Sequence, residues 1–188
     1  MSSWKSWKRN FRPVNQLNRT TVMPNPAPDT LTDQTQAFWE FALTHYARPG
    51  VEQACLCLQD SYQGNVNLAL LLHWLDTQAQ ALPADALPAL LAALTDTDAL
   101  LSHFRQLRRE LKPGLAPTAY RKLLDFELAL EKRQHRDLLA ALARSCPAPH
   151  PAANQLNPQP PNLANYARKL GLPDTLLNQL RGAAPEGR

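Results

Sequence analysis

The chain almost lacks the branched aliphatic residues that β-strands favour. Its 188 residues include no isoleucine and only four valines, whereas leucine and alanine are abundant. β-Branched side chains pack well on a pleated sheet, so their scarcity argues against one. Leucine and alanine are strong helix formers instead. We therefore predict an all-α fold.

Proline divides this helical sequence into blocks. Sixteen of the seventeen prolines lie in five groups, at 13–28, 83–88, 113–117, 147–161 and 173–185, and Pro49 stands alone. A proline inside a helix removes a backbone hydrogen bond and clashes with the preceding turn, so each group predicts a boundary. The blocks between them predict a compact bundle of about five main helices, followed by a short C-terminal helical pair.

Apolar residues recur in these blocks at the three- and four-residue spacing of a helix with a buried face. The pattern predicts main helices at about 31–47, 51–62, 68–80, 88–111 and 117–144, and the short pair at about 163–170 and 174–180. The third helix is apolar on nearly all sides and should be central, with Asn67 placed to cap it. A break in the fourth helix near 95–98 stays open, because Thr and Asp there could recap it.

These boundaries divide the chain into five regions. Residues 1–31 are basic and proline-rich, which predicts a disordered arm, and residues 183–188 predict a disordered tail. Between them we expect a helical bundle domain at 32–144, a proline-rich linker at 145–161 and the short C-terminal helices at 162–182. Met23 could also start translation, so the sequence leaves open whether residues 1–22 are made in the cell.

Charge is distributed unevenly along the chain. The net charge is +4, but residues 29–98 carry nine acidic groups and one basic group, whereas residues 105–137 carry nine basic groups against five acidic ones. This polarity could serve partner steering or self-association, or it could mean only that acidic and basic helices face one another.

The cysteine content and the hydropathy of the chain indicate its cellular compartment. The three cysteines are too few for a disulfide framework, which fits a reducing cytoplasm. No apolar run is long enough to span a bilayer, and the N-terminus lacks the apolar region of a signal peptide. We expect a cytoplasmic protein with no transmembrane segment.

A series of short motifs lies between positions 38 and 75. In chain order they are Phe38-Trp39, Tyr46, Pro49-Gly50-Val51, Ala54-Cys55-Leu56, Leu58-Gln59-Asp60, Val66-Asn67-Leu68 and Trp74-Leu75. This series resembles the opening signature of a family of small proteobacterial proteins known only as a domain of unknown function. The resemblance covers about 37–144 and implies a helical cytoplasmic protein, but it implies no reaction.

Polar and aromatic side chains gather around the turn between the second and third predicted helices. The candidate partner-binding residues in this region are Trp39, Tyr46, Gln59, Asp60, Asn67 and Trp74. Aromatic side chains with a polar rim are typical of partner surfaces, so we predict a groove where the first three helices meet. Alternatively, Asp60 and Asn67 only hydrogen-bond the backbone groups left open at helix ends.

Two other sets of titratable side chains have simpler structural explanations. His73 lies in an apolar helix, where an imidazole usually donates to a carbonyl, so a ligand or catalytic role is the less favoured reading. Glu127, Glu131 and His135 share one helix face and could hold a divalent ion. The Glu-x-x-His motif of di-metal bundles is absent, so we interpret these residues as a solvated stripe and predict no metal and no cofactor.

A basic stretch near the end of the fourth helix is the candidate nucleic-acid-binding site. Its residues are Arg105, Arg108, Arg109 and Lys112, which are spaced to share one helical side. Such a patch can attract phosphates by counterion release, as in an RNA- or ribosome-associated factor. It could equally neutralise the acidic first half of the chain.

No nucleophile elbow, phosphate-binding loop, dinucleotide fingerprint or metal-grade Cys/His spacing is present in the sequence. The sequence therefore favours a non-enzymatic protein-interaction module, with no catalytic residue assigned. The alternatives are the RNA- or ribosome-associated factor and a small enzyme that uses Asp60 or His73. Partner identity and oligomeric state stay undetermined at this level.

Overall fold

Within the residues that the structure describes, the chain forms seven α-helices, named α1 to α7 in chain order. They are Thr30–Tyr46 (α1), Val51–Tyr62 (α2), Val66–Thr77 (α3), Ala86–Leu111 (α4), Pro117–Ser145 (α5), Asn162–Leu170 (α6) and Asp174–Leu180 (α7). The computed structural model describes residues 30–83, 85–146 and 161–183, and no strand occurs among them. The predictions of an all-α fold and a compact helical bundle are confirmed.

The predicted arm, linker and tail fall largely on residues that the structure does not describe. These are residues 1–29, 147–160 and 184–188. The predicted division into regions therefore stays a prediction. Within the described part of the chain, no helix combines the length and the apolar character needed to cross a membrane.

The turns around α2 follow from local stereochemistry. Pro49 and Gly50 separate α1 from α2, and Gly50 has φ 82°, a conformation that glycine adopts without steric cost. At the other end, Gln63 closes α2 in a left-handed conformation with φ 53°. The bounds of α2 are those that the sequence predicted.

The start of α3 differs from the prediction. Asn65, not Asn67, is the N-cap, because its Oδ1 accepts from the Leu68 backbone N–H at 2.7 Å. The helix consequently begins two residues earlier than predicted, at Val66. Asn67 lies inside the first turn and is buried, so its amide serves a tertiary contact instead of a cap.

The fourth helix continues without interruption through residues 95–98, so the suggested break there is wrong. Thr97 is buried and its hydroxyl donates back to the Leu94 carbonyl at 3.2 Å, which is compatible with helical backbone. Asp98 turns towards the α2–α3 turn and bonds side chains there, so neither residue caps a new helix.

The core is centred on α3, as its apolar sequence predicted. Leu68, Leu71 and Leu72 are fully buried, and Phe38 of α1 and Leu138 of α5 close over them. These five side chains bury their apolar surface in one continuous core. Burial of apolar surface is the main favourable contribution to folding.

The C-terminal helices belong to this same core. α6 packs on α3, α7 packs on α2, and Leu163 and Leu180 are buried in the shared cluster. Asp76 near the end of α3 joins them, because its carboxylate accepts from the backbone N–H groups of Asn162 at 2.7 Å and Leu163 at 3.1 Å. A side chain of α3 thus caps the start of α6.

Candidate functional site

A polar cleft opens where the α2–α3 turn meets the facing sides of α4 and α5. Its volume is about 510 Å³, within the range of small-ligand pockets. The turn contributes polar side chains and the backbone of Gly64, while α4 contributes acidic and basic groups. Most of the lining is polar, so the cleft suits an occupant that makes hydrogen bonds.

Two buried carboxamides form the floor of this cleft. Gln134 of α5 is 1% exposed and Asn67 of α3 is 3% exposed, and the Asn67 amide donates to Gln134 Oε1 at 2.7 Å. The Gln134 amide in turn donates to Asp98 Oδ1 at 2.8 Å. Buried amides cost free energy unless they are paired, and here the pairing fixes the direction in which each points.

Asn65 ties the cleft to three neighbouring helices. Its amide donates to Asp98 Oδ1 at 2.5 Å and makes a longer contact of 3.4 Å with Gln134 Oε1. Its backbone N–H donates to the Tyr166 hydroxyl of α6 at 2.9 Å. Together with its capping bond to Leu68, these contacts hold the α2–α3 turn in place against α4, α5 and α6.

A neutral histidine supports the floor from inside the core. His135 is fully buried, and its Nε2 lies 3.0 Å from Asn67 Oδ1, which accepts the ring N–H. The ring stacks on Phe38 with centroids 4.3 Å apart. Burial lowers the pKa of His135 to about 3, so the imidazole stays uncharged at neutral pH.

An ionic network between α4 and α5 forms one end of the cleft. Arg105 pairs with Glu127 at 3.1 Å and with Glu131 at 3.0 Å, and Arg108 pairs with Glu127 at 2.5 Å. Arg108 also donates to the Tyr120 hydroxyl at 2.7 Å. Burial disfavours the charge on Arg105, but Glu131 and Glu127 outweigh it and raise the arginine pKa.

This network corrects the interpretation of Glu127, Glu131 and His135 as a solvated stripe. All three side chains are buried, because α5 turns this face towards α4 and α1. The two carboxylates pair with an arginine of the facing helix. Within the described residues no group of three potential metal ligands is close enough to hold an ion.

The cleft brings together residues from both sets of predicted site residues. Gln59, Asp60 and Asn67 from the partner-binding set line it, and so do Arg105 and Arg109 from the basic set. Whether any of them binds a partner stays a prediction.

The aromatic members of the partner-binding set lie elsewhere. Trp39 is 8% exposed and Tyr46 is 5% exposed, and both belong to the hydrophobic core. Trp74 is half-buried, with its ring 5.4 Å from that of Phe38. Only Trp74 therefore offers appreciable surface to a partner.

The basic set does not form one exposed face. Arg108 is 5% exposed and Arg105 is half-buried in its ion pairs, so Arg109 and Lys112 are the exposed members. Lys112 lies 5.8 Å from the Tyr120 ring centroid. Nucleic-acid binding stays a prediction, but it would rest on fewer cations than the sequence suggested.

Sequence reasoning missed Gln134 and Asp98. A signal for Gln134 is present, because Glu127, Glu131, Gln134 and Leu138 follow a spacing of four, three and four that marks one helix face. Leu138 identifies that face as buried, and polar residues on a buried face need partners. Asp98 offers no comparable local signal.

Two further histidines, one on α1 and one on α3, lie next to each other. His45 is buried, its ring Nε2 lies 2.8 Å from the Leu180 carbonyl, and its ring centroid is 4.4 Å from that of His73. Burial lowers the pKa of His45, and burial together with nearby His45, Arg181 and Arg48 lowers that of His73 to about 4. The contact between His45 and the Leu180 carbonyl anchors the end of α7 to α1.

The fold and the cleft define a class: an all-helical bundle with a pre-formed polar site on one side. Within this class, the chain belongs to the family described as "Protein of unknown function (DUF2390)", whose sequence profile matches residues 37–138. The resemblance noted in the sequence is thereby confirmed at the level of a family of unknown function. No curated protein and no solved structure matches the chain significantly.

Proposed function

We propose that the protein is a non-enzymatic interaction module whose binding site is the polar cleft. The observation that carries this proposal is the floor of Gln134 and Asn67, two buried carboxamides held by hydrogen bonds at the bottom of a cleft of about 510 Å³. Pre-organised polar groups lower the cost of ordering a site on binding. Such a floor suits a polar segment of a partner protein.

The chemistry of the lining supports binding over catalysis. The described residues that line the cleft include no histidine and no cysteine, and His135, which hydrogen-bonds Asn67 of the floor, is fully buried. Asp60 lies on an exposed rim, where its carboxylate accepts from the neighbouring Gln59 amide at 3.3 Å. General acid–base catalysis usually needs a titratable group in a shielded setting, which this rim does not provide.

A reducing, cytoplasmic setting in a bacterial cell is part of the proposal. Cys55, Cys57 and Cys146 are all unpaired thiols. Burial raises the pKa of Cys55 to about 12, which makes it unreactive towards oxidants. Free thiols and the family resemblance support this compartment.

Site-specific photo-crosslinking in cells tests the proposal. A benzoylphenylalanine at Ser102, which is exposed and lines the cleft, should give one defined adduct with a partner. The same probe at Thr77, the exposed last residue of α3, is the control, because α3 begins at the cleft and ends about 16 Å away.

The adduct should weaken when the cleft is altered. The Asn67→Asp substitution places a carboxylate beside Gln134 Oε1 and removes the donor that fixes the floor. We expect the Ser102 adduct to fall severalfold in this background. Identical adducts at Ser102 and Thr77, or none at Ser102, would refute the cleft as a partner site.

A further inference from the structure

The charged groups of the cleft are sorted by sign along α4. Asp98, Ser102, Arg105 and Arg109 follow a spacing of four, three and four, so they share the side of α4 that faces the cleft. At 1.5 Å per residue, Arg105 lies roughly 10 Å and Arg109 roughly 16 Å from Asp98 along the helix axis. The cleft therefore has an acidic end and a basic end.

The acidic end retains unused hydrogen-bond acceptors. Both contacts that Asp98 receives, from Asn65 and Gln134, use Oδ1, which leaves Oδ2 available within the described residues. Asp60 of α2 adds a second carboxylate to the cleft lining. No cation of the described chain pairs with either carboxylate. Two carboxylates that line the cleft without an ion pair suit an ammonium or guanidinium group.

Among the cleft residues that the structure describes, the basic end offers one available cation. The charge on Arg105 is balanced by Glu127 and Glu131, so this guanidinium mainly shapes the wall. Arg109 is exposed on the same wall, and the structure gives it no ion pair within the described residues. Arg109 is therefore the group that an incoming carboxylate would meet.

From this arrangement we propose that the occupant is a dipolar peptide segment, with a basic side chain at the Asp60/Asp98 end and an acidic side chain at Arg109. The axial separation of roughly 16 Å between Asp98 and Arg109 corresponds to about five residues of extended chain. This inference rests on the proposed function, since it specifies the partner chemistry of the same cleft. It adds the requirement that opposite charges be spaced along the bound segment.

Four capped peptides of equal length test the charge order. They are Lys-Ser-Gly-Ser-Glu, the reversed Glu-Ser-Gly-Ser-Lys, and two like-charged controls with Lys or Glu at both ends. The readout is the change in the NMR shifts of the side-chain amides of Asn65, Asn67 and Gln134 during titration. At least one dipolar peptide should bind roughly three- to fivefold more tightly than both controls, the gain expected of one partly exposed ion pair.

A charge reversal makes the test specific to Arg109. In Arg109→Glu both ends of the cleft are acidic, so the preferred peptide should become the one with two lysines. Arg121→Glu is the matched control, because Arg121 is an exposed arginine of α5 that does not line the cleft. It should leave the preference for a dipolar peptide unchanged, and 0.5 M NaCl should weaken all of these differences.

The outcomes separate this inference from the proposed function. Three results would overturn the proposal of a dipolar segment. They are equal binding of all four peptides, no binding of any peptide, and an unchanged peptide preference in Arg109→Glu. The Ser102 photo-crosslink would still show independently whether the cleft contacts a partner. A Ser102 crosslink together with equal binding of the four peptides would support the interaction module and contradict the dipolar segment.

Discussion

At the residue scale, Gly64 shows how packing can require glycine. A Cβ at position 64 would lie 2.8 Å from Leu58 Cγ and 2.9 Å from Leu170 Cδ1, and closer still to Leu58 Cδ1. Leu58 is fully buried, so it has little room to move. The missing side chain lets the α2–α3 turn approach both α2 and α6.

Substituting Gly64 with alanine should therefore destabilise the protein. Overpacking a tight site costs about 2 kcal/mol, because neighbouring side chains or backbone must shift. Gly114→Ala is the control, since a Cβ there meets nothing within 4 Å. Urea denaturation should show a lower unfolding free energy for Gly64→Ala and a change within about 0.5 kcal/mol for Gly114→Ala. Equal effects of the two substitutions would contradict the close approach.

At the element scale, the α4–α5 hairpin depends on buried charge. Glu127 is 1% exposed and contacts both Arg105 and Arg108 of the facing helix. Burying these ions costs solvation free energy, which the pairing offsets. Their contribution is therefore most evident when one partner is removed, because the remaining charge is left buried and under-compensated.

The Glu127→Gln substitution should cost about 3 kcal/mol, since it leaves one excess buried positive charge on α4. Asp137→Asn on the same helix is the control, because it breaks only the exposed 3.7 Å pair with Arg133. Thermal and urea unfolding should show a large loss for Glu127→Gln and a loss below about 0.5 kcal/mol for Asp137→Asn. Losses of similar size would mean that the network is effectively solvated.

At the scale of the whole molecule, the C-terminal helices α6 and α7 complete the hydrophobic core. The family profile covers only part of the residues that form this core. The profile ends at residue 138, whereas Leu163, Tyr166 and Leu180 are buried beyond it. Polar contacts reinforce this packing, from Asp76 to the start of α6 and from His45 to the end of α7. The bundle is thus closed by residues distant in sequence.

A chain ending at residue 146 should consequently lose cooperative unfolding. It would expose the apolar faces of α2 and α3 that α7 and α6 cover, and each fully buried leucine contributes about 2 kcal/mol. Binding of a hydrophobic dye and the loss of a sharp thermal transition would report this exposure. A chain ending at residue 183 should unfold like the full protein. A cooperative transition without dye binding in the shorter chain would disprove that cooperative unfolding depends on α6 and α7.

Stability should also fall in mild acid because of buried histidine. The pKa of His135 is lowered to about 3 in the folded protein, against 6.5 for an ordinary histidine. Below pH 6.5 the unfolded chain therefore binds a proton that the folded chain does not, and the unfolding free energy decreases as the pH falls. The slope is about 1.4 kcal/mol per pH unit for this residue, down to about pH 3.

Urea denaturation at pH 7.5, 6 and 5 measures this effect. His135→Gln removes the titrating ring while keeping an amide donor for Asn67, so its stability should depend less steeply on pH than that of the wild type. His103→Gln, at an exposed position of α4, should keep the wild-type dependence. Parallel pH dependences for the wild type and His135→Gln would show that His135 does not cause the acid sensitivity.

The boundaries of the helices were predictable where local chemistry decides them. Pro49 keeps the residue before it out of the helical region and Gly50 readily adopts a positive φ, whatever surrounds them, so α2 begins at Val51 as predicted. The capping of α3 was less predictable, because Asn65 and Asn67 are both good caps in isolation. Gln134, 67 residues further on, takes the Asn67 amide and so decided between them.

The sequence predicted cleft residues on the turn and on α4 as two separate sites, and it could group residues into one site only where a single turn brings them together. Gln59, Asp60 and Asn67 could be recognised because they flank one turn, whereas Asp98 and Gln134 approach that turn from α4 and α5. Composition and proline placement by themselves determined that this chain forms helices and where most of them end, because those choices depend on neighbouring backbone atoms. Only the tertiary structure decided which polar groups meet, since burial and hydrogen-bond partners depend on residues far apart in sequence.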